Sequence, residues 1–327
     1  MLDDVRLPLG DWVETGVDWI TVNLAVLFDV IRALVNGLFD VAEWVFTEPP
    51  AIVMILVLTV LALLARGWRM GVGTLVGLVA IVLVDQWDNA MATLALTIVA
   101  AFFALLIAIP LGIWAARSDS VSSIVRPVLD FLQTMPAFVY LIPAIILFGI
   151  GVVPGIIATI AFAMAPGVRL TELGIRGVDH EIVEAGSAFG ASPGRILRQI
   201  QLPLALPTIM TGVNQIIMLS LSMVVIAAMV GAGGLGQDIV QALQRIDVGL
   251  GFEAGLSVVI LAIILDRVTN ALGSPQQHSP VARLRARRSG AAAEASAGAN
   301  TGAPTLTAPG MVAPTTDDTE PAALRGR

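Results

Sequence analysis

Few residues in this chain could do covalent chemistry. It contains no cysteine, so thiolate nucleophiles, disulfides and sulfur-ligated metals are excluded. All 18 basic residues are arginine. Without lysine the chain can form neither a Schiff base nor the G-x-x-x-x-G-K-[ST] phosphate loop. The two histidines, His180 and His278, lie far apart in sequence, and no paired carboxylates or nucleophile–base spacing stands out. The remaining candidates are polar groups in unusual settings. Gln133, Asn214 and Gln215 sit inside apolar runs, where amides either line a polar path or knit helices together. Met135 and Met218 are near them and could form a soft gate or simply core. Glu184 lies in a mixed segment between two apolar runs.

Those runs define the elements that must position these residues. The chain of 327 residues is 57% hydrophobic and 13% charged, with a mean hydropathy of +0.88. A soluble domain has about 45–50% apolar and about 25% charged residues. The composition therefore predicts an all-α integral membrane protein. Apolar stretches fall at Ala51–Ala65, Met70–Val84, Ala90–Ala116, Phe131–Ile150, Val152–Gly167, Leu204–Val230 and Leu250–Asp266. A span needs ~20 residues, so the first two are short and form either spans anchored by Trp68 and Trp87 or a shallow hairpin. Counted as about seven spans, with the C-terminus in the cytoplasm, 15 arginines fall inside and three (Arg6, Arg32 and Arg245) outside.

Three regions follow. Residues 1–48 hold nine acids and two arginines. Within them Leu24, Leu27, Ile31, Leu34, Leu38 and Val41 form the apolar face of an external amphipathic helix that Pro49-Pro50 ends. Residues 49–272 form the membrane domain. Residues 273–327 are rich in Ala, Gly, Pro, Thr and Ser, the composition of a disordered tail, with Arg283, Arg285, Arg287 and Arg288 as a positive-inside anchor.

The segment Val168–Pro203 is the longest cytoplasmic connection. Asp179 is placed to cap a short helix running through Glu184 to Phe189, and Gly190 follows where a left-handed residue is wanted. Ser192-Pro193 opens a second helix with Ile196, Leu197 and Ile200 on one side, and Leu202-Pro203 should stop it. Ile182, Ala185 and Phe189 would be costly to leave in water, so a partner protein with a groove is the expected destination. Glu172 and Arg176 read as a local helical pair at the entry, and Asp266-Arg267 as an ion pair closing the last span.

Glu184-Ala185-Gly186, three residues, Gly190, nine residues, Ile200, one residue and Leu202-Pro203 resembles the coupling motif of permease subunits in binding-protein-dependent ABC importers, written E-A-A, three, G, nine, I-x-L-P. Gly186 replaces the second alanine; the spacing matches throughout. Further segments, among them Ile109-Pro110-Leu111-Gly112, Gln133-Thr134-Met135-Pro136 and Gly212-Val213-Asn214-Gln215, are similar to the glycine betaine/proline betaine branch. The resemblance implies a type I importer permease fold in a bacterial cell membrane, working as a pair of such subunits. It implies two ABC ATPase subunits, which carry ATP and Mg²⁺, and an extracytoplasmic substrate-binding protein. This chain would then bind no cofactor, metal or nucleic acid and catalyse nothing itself. It also places the binding-protein contact near Gly233, Gly234, Leu235 and Gly236, residues that tight packing alone would also explain. Other readings of the sequence are the same machine for choline, carnitine or an amino acid, and a stand-alone secondary transporter.

Overall fold

The computed structural model describes residues 8–273; the expectations for the tail and its four-arginine cluster fall outside these residues. Fourteen α-helices, a 3₁₀ turn at Ala137–Tyr140, a π turn at Leu197–Gln201 and no strand are present among the described residues: α1 Leu9–Asn23, α2 Ala25–Thr47, α3 Ala51–Arg66, α4 Trp68–Leu83, α5 Trp87–Arg117, α6 Asp119–Thr134, α7 Leu141–Phe148, α8 Val152–Arg176, α9 His180–Ala188, α10 Pro193–Ile196, α11 Leu202–Ser222, α12 Val224–Ala228, α13 Gly234–Arg245 and α14 Val248–Gly273.

At the centre α8 lies between α5 and α11. Lipid supplies no hydrophobic drive between helices, so close backbone approach through small residues carries the packing. A Cβ on Gly112 of α5 would lie 2.7 Å from the Val168 carbonyl oxygen, and one on Gly212 of α11 would lie 3.4 Å from the Cα of Gly167. Ile216 of α11 packs against Gly167 of α8, and both Ile216 and Ile156 are wholly buried in the core. Helix α14 packs on α11 and α13, α2 on α5, and α3 with α4 form a pair against α14.

Four stretches are long and apolar enough to cross a bilayer: Trp87–Arg117, Val152–Arg176, Pro193–Ala228 and Val248–Ala271. Two bent pairs raise the number to as many as six. One of these corrects the expected span Phe131–Ile150. Helix α6 stops at Thr134, Met135-Pro136 is extended, and Ala137–Phe148 leaves at 109° to it. Proline holds the preceding residue out of the α region, which an apolar run read for length alone does not reveal. The N-terminal amphipathic face also differs from expectation. Val35 and Phe39 are the buried residues of α2, with Phe28, Ile31 and Leu38 packed beside them, whereas Leu27, Leu34 and Val41 are exposed. The apolar arc of α2 is wide, and the bundle covers only one side of it.

Candidate functional site

The expected loop begins later than Val168, because α8 stays helical to Arg176. Its first limb is α9. The Asp179 carboxylate accepts the Glu181 backbone N–H at 3.0 Å, capping the helix start. The limb ends at Gly190, with φ +74°. The Gly190 N–H donates to the Ser187 oxygen at 2.9 Å and the Ala191 N–H to the Gly186 oxygen at 3.1 Å. This pair of bonds is a Schellman closure, and it needs a left-handed residue at Gly190. Ser192 and Pro193 then open α10 as the sequence predicts, although the serine hydroxyl makes no capping bond.

Leu202-Pro203 does not stop the second limb. The chain passes through a π turn at Leu197–Gln201 straight into α11, and the Leu202 N–H donates five residues back to the Leu197 oxygen. Pro203 has no N–H for the Gln199 carbonyl, and its ring crowds that oxygen. A widened turn relieves both problems without ending the helix. The result is an elbow rigidly continuous with a long apolar helix.

Motif residues divide between the inside and the outside of this elbow. Ile196 is buried, and Ile200 reaches the first limb: a Cβ on Gly186 would lie 2.8 Å from the Ile200 Cδ1. Glycine at that position therefore lets the two limbs close on one another. No residue of α9 is buried. Ala185 is exposed, Ile182 is 44% exposed, and Phe189 at the tip is 93% exposed. Glu184 pairs with His180 of its own helix at 3.2 Å, and its side chain remains 70% exposed.

Glu172 is more than half of a local pair. Besides Arg176, at 3.1 Å, it meets Arg126 at 2.8 Å and the Ser122 hydroxyl at 2.7 Å, both on α6. Sequence spacing alone does not bring α6 and α8 together.

The amides separate. Asn214 turns toward α14 and donates to Asp266 at 2.9 Å, and Asn270 donates to the same carboxylate at 2.8 Å. Asp266 thus works as an acceptor for amides, while its contact with Arg267 stretches to 4.0 Å. Gln215 is exposed on the other side of α11, in one stripe with Thr211 and Ser222 and with the half-buried Met218. Gln133 is exposed at the end of α6, and Met135 lines a cleft of about 800 Å³ with Phe131 and Tyr140. The glycine cluster packs inward. Leu235 is wholly buried, and its N–H donates to the Thr93 hydroxyl at 2.8 Å. Gly234 and Gly236 are buried with it, whereas Gly231 and Gln237 beside them are exposed.

Residues 108–274 match the family described as binding-protein-dependent transport system inner membrane component. The chain is 49% identical over 82% of its length to the glycine betaine/proline betaine transport system permease protein ProW of Escherichia coli, of which 75% is covered. It is 48% identical to the glycine betaine/carnitine transport permease protein GbuB of Listeria monocytogenes, over 81% of this chain and 95% of that one. The corresponding identity to the glycine betaine transport system permease protein OpuAB of Bacillus subtilis is 44%, over 81% and 94%. A solved structure of the MetNI methionine ABC transporter superposes with a TM-score of 0.52 at 23% identity, covering 57% of this chain and 94% of that one, a likeness of fold. The chain belongs to the inner membrane component family of binding-protein-dependent transport systems, and it is a multi-pass membrane subunit of the ABC importer type.

Proposed function

We propose that this chain is the membrane subunit of an ATP-driven importer of glycine betaine and related quaternary amines, with the α9–α10 elbow as the element that ATPase subunits push. The observation that carries this reading is the elbow itself. A Schellman-closed pair of short helices, fused to α11, presents Phe189 almost fully exposed together with Ile182 and Ala185. An apolar tip on a rigid mount is suited to a partner's groove. Glu184, Ala185, Gly186, Gly190, Ile200, Leu202 and Pro203 form the coupling motif. The substrate class follows the relatives, whose names specify glycine betaine.

In this reading two ATPase subunits sit beneath a pair of permease copies and hold ATP and Mg²⁺, and the permease catalyses nothing. A binding protein docks on the opposite face near Gly233–Gly236, through the exposed Gly231 and Gln237. With the seven spans read from the sequence, the arginine distribution supports an N-terminus outside and a C-terminus in the cytoplasm. Gln133, Met135, Gln215 and Met218 face the path. Asn214 stands behind it, steadying α11 against α14.

The test is uptake of labelled glycine betaine by vesicles holding this subunit with its ATPase and binding protein. ATP-dependent uptake is expected, and Gly190→Leu should leave the assembly intact while abolishing it. Uptake without the ATPase, or normal substrate-stimulated ATP hydrolysis in Gly190→Leu, would overturn the reading.

A further inference from the structure

Glu172 is the one charged residue that is buried among the described residues, 4% exposed. It is the middle rung of a ladder. Arg169 pairs with Asp130 above it, and Arg176 pairs with Asp119 at 2.7 Å below it. Arg176 also donates to the Ala115 carbonyl at the end of α5, at 2.8 Å. Along α8 the charges run positive, negative, positive at 169, 172 and 176. Along α6, read in reverse, they run negative, positive, negative at 130, 126 and 119. Steps of three, four and seven keep each set on one helix face.

This pattern permits one register. Sliding α8 by one turn sets Arg169 against Arg126, or Glu172 against Asp130, so either displacement brings like charges together. The α5–α8 seam is closed mainly by glycines and small or aliphatic side chains, with the Arg176–Ala115 bond at its end, and among the described residues it carries no comparable alternation of charge. Arg126 and Arg176 both aim at a carboxylate withdrawn from solvent, so neutralising that one group weakens two contacts at once, one of them across the helices, while Arg126 keeps its solvent and Arg176 keeps Asp119 and the Ala115 carbonyl.

We propose that this ladder makes α6 and α8 a single rigid body, with Glu172 as its positioning residue. A stroke on the elbow would then reach the Met135–Pro136 bend as well as α8. The connectivity supports this. Only Gly177, Val178 and Asp179 separate α8 from α9, and the other end of the ladder leads up α6 to Gln133 and the 109° turn. The inference rests on the reading of the elbow as the driven element.

The experiment uses the full assembly in vesicles. In Glu172→Gln, assembly and thermal stability should stay near those of the parent, with ATP hydrolysis within about twofold, while solute moved per ATP falls about tenfold. Asp130→Arg and Arg169→Asp should each lower the same ratio, and the double variant should restore it. The cysteine-free chain lets single cysteines at Ser123 and Leu173, both exposed, carry spin labels without background. The α6–α8 distance should not change on adding nucleotide in the parent and should broaden in Glu172→Gln. A parental transport ratio in Glu172→Gln, or a nucleotide-dependent α6–α8 distance in the parent, overturns the ladder. Full coupling in Gly190→Leu overturns the elbow instead, and the spin-label distance still reports on the ladder by itself.

Discussion

Gly190 matters through its backbone. A Cβ there would touch nothing within 4 Å, so substitution is resisted only by the φ of +74°. The left-handed region costs an ordinary residue about 1–2 kcal/mol and asparagine less. Gly190→Asn should therefore keep uptake near parental, whereas Gly190→Val should reduce it with little change in expression; parallel uptake assays compare the two. Gly234 combines both penalties, with φ +69° and a Cβ position 2.5 Å from the Thr93 hydroxyl. Gly234→Ala should break the Thr93–Leu235 bond and destabilise the subunit by about 1–3 kcal/mol, read as a lower melting temperature in detergent.

At the level of the element, the π turn is the informative feature. With Pro203→Ala the Gln199 carbonyl regains a donor, and the turn can tighten to α geometry. That rotates the elbow by about 100° relative to α11. Thermal stability should hold or rise while solute moved per ATP falls; unchanged coupling in that variant would show that the turn does not aim the elbow. Local signals made much of this region legible in advance: Asp179 as a cap, Gly190 as a left-handed stop and Ser192-Pro193 as a start are decided by residues within a few positions. Pro203 misled because proline has two outcomes, a stop or a widened turn, and the continuing pull of an apolar helix decides between them. The packed side of α2 and the partner of Asn214 were not legible because each depends on which distant helix arrives, and an apolar or amide side chain does not say which. The Met135-Pro136 bend has a local cause in its proline and was hidden by reading the apolar run for length alone.

Across the whole molecule, the bundle is held by contact rather than by apolar segregation, so its weak points are its smallest residues. Gly112→Leu would drive a side chain into the Val168 carbonyl and Thr171. It should separate α5 from α8 and cost several kcal/mol, more than the ~1–3 kcal/mol of ordinary overpacking because the obstacle includes backbone. Loss of folded protein in detergent, measured by size-exclusion chromatography, is the expected result.

One consequence concerns the bilayer itself. Helices α3 and α4 have 16 residues each, about 24 Å of length at 1.5 Å per residue, against a hydrocarbon thickness of ~30 Å. Beside α5 and α14, which are long enough to overshoot, this stubby pair imposes a thickness mismatch on one flank only. Surrounding lipid must dimple there, at a fraction of a kcal/mol per Å. Reconstituted into phospholipids of graded acyl length, the subunit should concentrate in the thinner phase, and a chain with α3 and α4 each lengthened by one helical turn should lose that preference.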